Sequence, residues 1–445
     1  MNRAIALTLA LLPLFAVAAD EDSSGQTIEN ALKEAKARHA VVFVDFWAPW
    51  CHSCFYMQKN VMSGPEWAAT EKRAVIVELD GDEPEGNHWA KLWKIGGYPT
   101  YVVLDENGKE IGRILGDRPR EQFYSELNPI LDKGVALETL EAQVRGNDAA
   151  SLAAARAVLK AFYERMDYDG AMNWIGTLPA ATQQAVRADQ QAGMRLQRIA
   201  LLQASDSKNV EQCVALATPV IGGALTCDLL MEVSGFQSCL EDLPEADRHA
   251  KLEPYKSPLA KLQEQVLVSG TEDCTDTRGI VDTAADLYDE LGDTEALSNV
   301  WKQGIAYTTK HLTGPGGIDY KKDHSLADNL RYYMDRSGDN AGLDKLFPPL
   351  IAAYPDTYDY YFRYGRNLVK RGDFDKALPY LEQAASRAYG RNSLWVAQWR
   401  AQALMQLKRE KEARDVVANA LQDLGPWFPE EVATLKAVLE GTAPA

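Results

Sequence analysis

The stretch Asp45–Gln58, DFWAPWCHSCFYMQ, decides how this chain is read. Cys51 and Cys54 stand with two residues between them, directly after the apolar run Ala40–Trp47, AVVFVDFW. That run is β-branched and aromatic, the composition of a buried strand. SCFYMQKNVM (53–62) has helix-compatible spacing. The two cysteines therefore stand where a strand hands over to a helix. A CxxC pair there is a redox dithiol, half of a zinc site, or two buried thiols. Zinc needs two further ligands at suitable spacing. The chain has no second CxxC, and His88 and His39 are the nearby spare imidazoles. The redox reading is preferred, and no metal or cofactor is expected.

Reading outward gives more strands. AVIVELD (74–80) and TYVVLD (100–105) are strand-like, ENG after the latter is a hairpin turn, and KEIGRILG (109–116) is a fourth strand. PREQFYSELNPILDKG (119–134) is a closing helix, with Pro119 at its start and Gly134 at its stop. DGDEPE (80–85) lacks the Gly and bidentate Glu spacing of a calcium loop and reads as a solvated turn.

The order strand, CxxC, helix, strand, helix, hairpin, helix resembles the thioredoxin fold. WAPWCHSC resembles that family's W-C-x-x-C segment, Asp45 stands where the family keeps a buried acid, and GGYPT (96–100) resembles its cis-proline loop. CFYMQKNVMSGPEW resembles the C-terminal thioredoxin-like domain of periplasmic electron-transfer reductases, whose longer first helix ends in a similar Ser-x-Pro turn. The lysine that thioredoxins carry near the acid is replaced here by a residue at or near Glu78. The resemblance implies that Cys51, Cys54, Asp45 and Pro99 are catalytic, and that Trp50, His52 and Tyr98 meet substrate. Cys51 at a helix N-terminus is the expected nucleophile. Tyr98, before a cis-proline, offers its backbone to an extended substrate strand. An exposed, cationic His52 beside the thiolate makes the pair more oxidising.

Met1–Asp20, MNRAIALTLALLPLFAVAAD, has one Arg, an apolar run and small residues near its end. This is the pattern of a secretory signal peptide over 1–19, too short to span a bilayer. A periplasmic location follows as an expectation, with no membrane span in the mature chain. A net charge of -17 argues against phosphate-backbone binding and so against nucleic-acid partners.

Past Val135, Ala, Leu, Glu, Gln and Arg dominate and strand-like runs vanish. YYFRYGRNLVKRGDFDKALPYLEQA places Tyr364, Gly365, Leu368, Gly372, Ala377, Leu381 and Ala384 on the template of a tetratricopeptide repeat, which it resembles. A shift of 36 residues places Ala401, Leu404, Ala413, Val417 and Ala420 on the same template. Leu330, Gly338, Phe347 and Pro355 fit more loosely, and Leu287–Leu297 is a degenerate echo. Stacked helix pairs of this kind present a concave face to a partner.

Cys213, Cys227, Cys239 and Cys274 fit no zinc signature, and in an exported protein two structural disulfides are expected. Helix adjacency favours Cys213–Cys227 and Cys239–Cys274.

The expected architecture is an α/β thioredoxin-like domain (24–133), a helical domain with disulfides (135–320) and tetratricopeptide-like repeats (321–430). The expected function is exported thiol–disulfide exchange on proteins with disulfides, with a membrane redox partner as electron source or sink. The alternative is a non-catalytic, chaperone-like repeat scaffold with a docking domain.

Overall fold

The computed structural model of the chain describes residues 27–441 except 273 and 425. The expected signal peptide lies outside these residues.

The first part runs α1 (Ile28–Arg38), β1 (Val41–Trp47), α2 (His52–Asn60), α3 (Gly64–Arg73), β2 (Ala74–Asp80), α4 (Pro84–Leu92), β3 (Thr100–Leu104), β4 (Glu110–Leu115) and α5 (Arg120–Lys133). The sheet order is β2-β1-β3-β4; β1 and β2 are parallel, and the remaining pairs are antiparallel. β1 is thus a central strand covered on both faces, which is why its sequence is a continuous apolar run. Alternation along β1 sends Val42, Val44 and Phe46 into the core shared with α1 and α4. Phe43 faces the other way, into the core built by Met57, Val61, Phe123 and Leu127. Asp45 has the same parity as Phe43, so it lies on the face that α2 covers. The helix after the dithiol ends just before the Ser63–Pro65 turn: α2 stops at Asn60, and Ser63 leads into a further helix, α3, with Pro65 in its first turn, where the expected order had one helix before β2.

From Leu137 to Glu440 the described residues are mostly helical, with one two-stranded hairpin at Thr313–Gly314 and Gly317–Ile318. Four helix pairs follow in turn: 277–290 with 294–312, 324–336 with 340–353, 359–370 with 374–385, and 390–406 with 410–424. Gly365 lets one pair close tightly, because a Cβ there would stand 2.7 Å from Leu381 Cγ. No helix among the described residues is long and apolar enough to cross a membrane.

The disulfides are Cys213–Cys239 and Cys227–Cys274, not the pairing expected from helix adjacency. The helices Val210–Ile221 and Leu230–Leu240 form a hairpin. Cys213 near the start of one and Cys239 near the end of the other therefore come level. Cys227 lies at the turn, the far end from Cys213, and reaches instead for Cys274.

Candidate active site

Cys51 is the N-cap of α2, and the Cys54 N–H donates to its sulfur at 3.1 Å. Unpaired amides and the positive end of the helix stabilise a thiolate at that position. The two cysteines form a disulfide with Cα atoms 5.2 Å apart. Their immediate shell is Ala48, Trp47, Trp50 and Tyr98. The Tyr98–Pro99 bond is cis, and the Pro99 carbonyl accepts from the Gly116 N–H at 2.8 Å.

Asp45 is buried beneath the dithiol, 2% exposed, and its Oδ1 has no hydrogen-bond partner. Register sets Glu78 beside it on β2 and Tyr101 on β3. Burial first, and the like charge of Glu78 second, hold its carboxyl well above the usual range. Glu78 thus stands opposite Asp45 in the register and favours its protonated form.

The helical region covers the dithiol face. Cys51 is 4% exposed and Cys54 2%. His52 is not a free surface cation: it is three-quarters buried and paired with Asp276. Ser53 Oγ donates to the same carboxylate at 3.2 Å. An anion beside His52 offsets the field its positive charge would place on the thiolate. Asp276 is held below the usual carboxylate range against its burial by His52 and Arg278. Further along α2, Phe55 stacks on His324 with ring centroids 3.7 Å apart.

On the other flank, Trp50 Nε1 donates to Asp82 Oδ2 at 2.8 Å, and its ring lies 6.5 Å from that of Trp395. Trp50, Tyr358, Phe362, Arg366, Trp395 and Trp399 line a cleft of about 300 Å³ beside the dithiol. The turn after β2 is not solvated, as DGDEPE suggested. Asp82 is fully buried, Asp80 Oδ2 accepts from Tyr389 Oη at 2.5 Å, and the Asp82 carbonyl accepts from the Arg391 N–H at 2.7 Å. Gly390 permits this approach: its φ is +50°, and a Cβ would stand 2.0 Å from the Asp82 carbonyl oxygen. Sequence reading missed Asp82, Asp276, His324, Tyr389 and Arg391. The last four contact the dithiol domain from positions over 200 residues away. Asp82 did carry a signal, as an acid two residues past the end of a buried strand.

Comparison with known proteins agrees with this geometry. The thioredoxin-like domain family matches residues 28–130, and the tetratricopeptide repeat family matches residues 368–439. The thiol-disulfide oxidoreductase ResA of Bacillus cereus is 28% identical over 129 residues, 24% of this chain and 72% of that protein. The thiol:disulfide interchange protein DsbD of Pseudomonas fluorescens is 29% identical over 100 residues, 22% of this chain but only 20% of that protein. The protein disulfide-isomerase of Zea mays is 27% identical over 90 residues, 20% of this chain and 18% of that protein. A solution structure of a thioredoxin from Thermus thermophilus matches at 35% identity over 24% of this chain and 85% of that one, with a TM-score of 0.23. The chain carries a thioredoxin-like domain of the thiol–disulfide oxidoreductase kind, with its CxxC pair at Cys51 and Cys54, followed by a helical region that ends in tetratricopeptide repeats.

Proposed function

We propose that the chain is an exported, periplasmic thiol–disulfide oxidoreductase whose helical region selects the partners that reach its dithiol. The placement of Cys51 as the N-cap of α2, beside the Pro99 loop, is the observation that carries this reading. The Cys51 thiolate attacks a substrate disulfide and forms a mixed disulfide. Cys54 then attacks Cys51, regenerating the Cys51–Cys54 disulfide and releasing the reduced partner. Asp45, whose carboxyl burial holds well above the usual range, takes the Cys54 proton through a water as Cys54 becomes the attacking thiolate. Pro99 and Tyr98 present the backbone along which a substrate strand lies. Trp50 leads from there into the aromatic cleft of the repeats.

Residues 24–133 form the redox unit in this reading, 135–320 the disulfide-bearing linker and 321–430 the recruiting arm. The linker has to move off His52, which it holds through Asp276, and the arm off Trp50, before a protein disulfide meets Cys51, because both cysteines are covered. That same burial favours a second reading, a repeat scaffold in which Cys51–Cys54 is only a staple. Reduction of insulin and of oxidised glutathione by dithiothreitol separates the two. The parent should accelerate at least one reaction over its Cys51→Ser variant. Equal rates on both would favour the scaffold.

A further inference from the structure

The two disulfides of the helical region have different surroundings. Cys213 and Cys239 join neighbouring helices deep in the core, at 0% and 1% exposure. Cys227 opens a single 3-10 turn, Cys227–Leu229, and is only partly buried. Cys274 lies in the irregular stretch before the helix Thr277–Glu290. Both line a cavity of about 470 Å³ that is also lined by His52 and Ser53, the two residues between Cys51 and Cys54. The link between the pairs is short. Cys274 precedes Asp276 by two residues, at most about 7 Å of chain. The Asp276 carboxylate accepts from Ser53 and pairs with His52. Thr275, between them, donates to Asp117 in the loop after β4.

We propose that Cys227–Cys274 is a second redox centre that exchanges electrons with Cys51–Cys54 inside the molecule. The proposal rests on the reading of Cys51 as a nucleophile. The Cys51 thiolate attacks the Cys274 sulfur; a Cys51–Cys274 bond forms, the Cys227–Cys274 bond breaks, and Cys227 leaves as a thiolate that takes up a proton. The Cys54 thiolate then attacks Cys51, the Cys51–Cys54 disulfide forms, and Cys274 leaves as a thiolate and is protonated. Two electrons and two protons pass from one pair to the other, and the reverse balances equally. Cys274 is the sulfur attacked because the chain ties it to Ser53 through Asp276. Cys227 is the better leaving group because its partial exposure lets water solvate the thiolate. The shared cavity is the space into which the residues around Cys274 shift to bring the sulfurs together.

This arrangement gives the covered dithiol a route to the surface. An external protein or small-molecule dithiol meets Cys227–Cys274 at the partly exposed Cys227 and supplies the two electrons. The helical region is then part of the reaction path as well as a cover.

The test uses the full chain, with disulfides mapped by peptide mass spectrometry after acid quench and alkylation. Oxidised parent and the Cys227→Ser/Cys274→Ser variant are treated with about 0.1 mM dithiothreitol, and reduction of Cys51–Cys54 is timed. Two pairs held in one molecule meet at an effective concentration in the millimolar range, so that bond should open about tenfold faster in the parent. Equal rates in the two proteins would overturn the relay. In Cys54→Ala, a peptide joining Cys51 to Cys274 or Cys227 should appear, with a yield independent of protein concentration. A Cys227–Cys274 bond that stays intact beside an alkylated Cys51 would also overturn it. Reduction of insulin and of oxidised glutathione by the same parent sample separates failure of the relay from failure of the oxidoreductase reading. A parent active on either substrate without internal exchange removes the relay alone, whereas a parent inactive on both removes the oxidoreductase reading and the relay with it.

Discussion

Asp82→Asn perturbs the junction between the dithiol loop and the repeats, and its effect can be worked out from burial. Asp82 is fully buried, holds Trp50 Nε1 at 2.8 Å, and its carbonyl accepts the Arg391 N–H. Burial, then the charge of Asp80, pushes its carboxyl up to about 7, against the lowering effects of the Trp50 hydrogen bond and Arg391. Glu83, Tyr98 and Tyr389 are the other titratable groups of this cluster. In the unfolded chain an aspartate titrates near 3.9. Between those values the native state binds more protons than the unfolded one, so stability falls as pH rises, by about 1.4 kcal/mol per pH unit. The penalty is absent below pH 4 and complete above pH 7. From pH 5 to 7 the full slope would amount to about 3 kcal/mol, and sharing of the proton with Asp80 reduces the single-site effect to about 1–3 kcal/mol. Asparagine keeps an oxygen for Trp50 and carries no charge. Urea denaturation at pH 5 and pH 8 should show Asp82→Asn more stable than the parent at pH 8 by about that amount, with a flatter pH profile. Profiles that run parallel, or a variant equally destabilised at both values, would refute the reasoning.

Asp45→Asn should also raise stability at pH 8, because it removes an acid whose native carboxyl sits above its unfolded value and whose charge is penalised as pH rises. It should slow release of the mixed disulfide by about tenfold or more in single-turnover kinetics, as loss of a proton-transfer group does. Glu164→Ala should lower stability by about 3 kcal/mol in denaturant titrations. Glu164 is 2% exposed, accepts the Leu115 N–H at 2.6 Å and pairs with Arg118, so its loss leaves the amide unpaired and Arg118 with Glu126 as its remaining carboxylate; Glu164→Gln should restore part of the effect. A fragment of residues 27–134, which lacks the cover over α2, should have its reduced Cys51 alkylated by iodoacetamide about tenfold faster than the full chain, and faster than Cys54 in either. Equal rates in fragment and full chain would mean that the helices do not shield the thiol.

The dithiol domain was legible because its signals are local. An apolar run, a CxxC and a hairpin turn each fix a few neighbouring residues, and β1, β2, β3 and β4 fall within a residue or two of the expected strands. The pairing of Asp45 with Glu78 is set by the register of β1 on β2, which parity along each strand does not fix. The cover over the dithiol was not legible. Asp276 is one carboxylate in a helical texture, and nothing near it marks it as the partner of His52 across 224 residues. The same holds for Tyr389 and Arg391, which turn an acidic loop that looks solvated into a buried junction. Disulfide pairing failed for a geometric reason. Nearness in sequence favoured Cys213–Cys227, but a helical hairpin places its two ends level and its turn far from both.

The central claim is that Cys51–Cys54 is an exchangeable redox pair rather than a staple. Equilibration of the full chain in glutathione buffers, with the Cys51–Cys54 peptide read by mass spectrometry, measures this directly. An exchangeable pair should show a two-electron transition at or above about -270 mV, the range of thiol–disulfide oxidoreductases. A pair that stays oxidised to below about -300 mV, where structural disulfides lie, would contradict it.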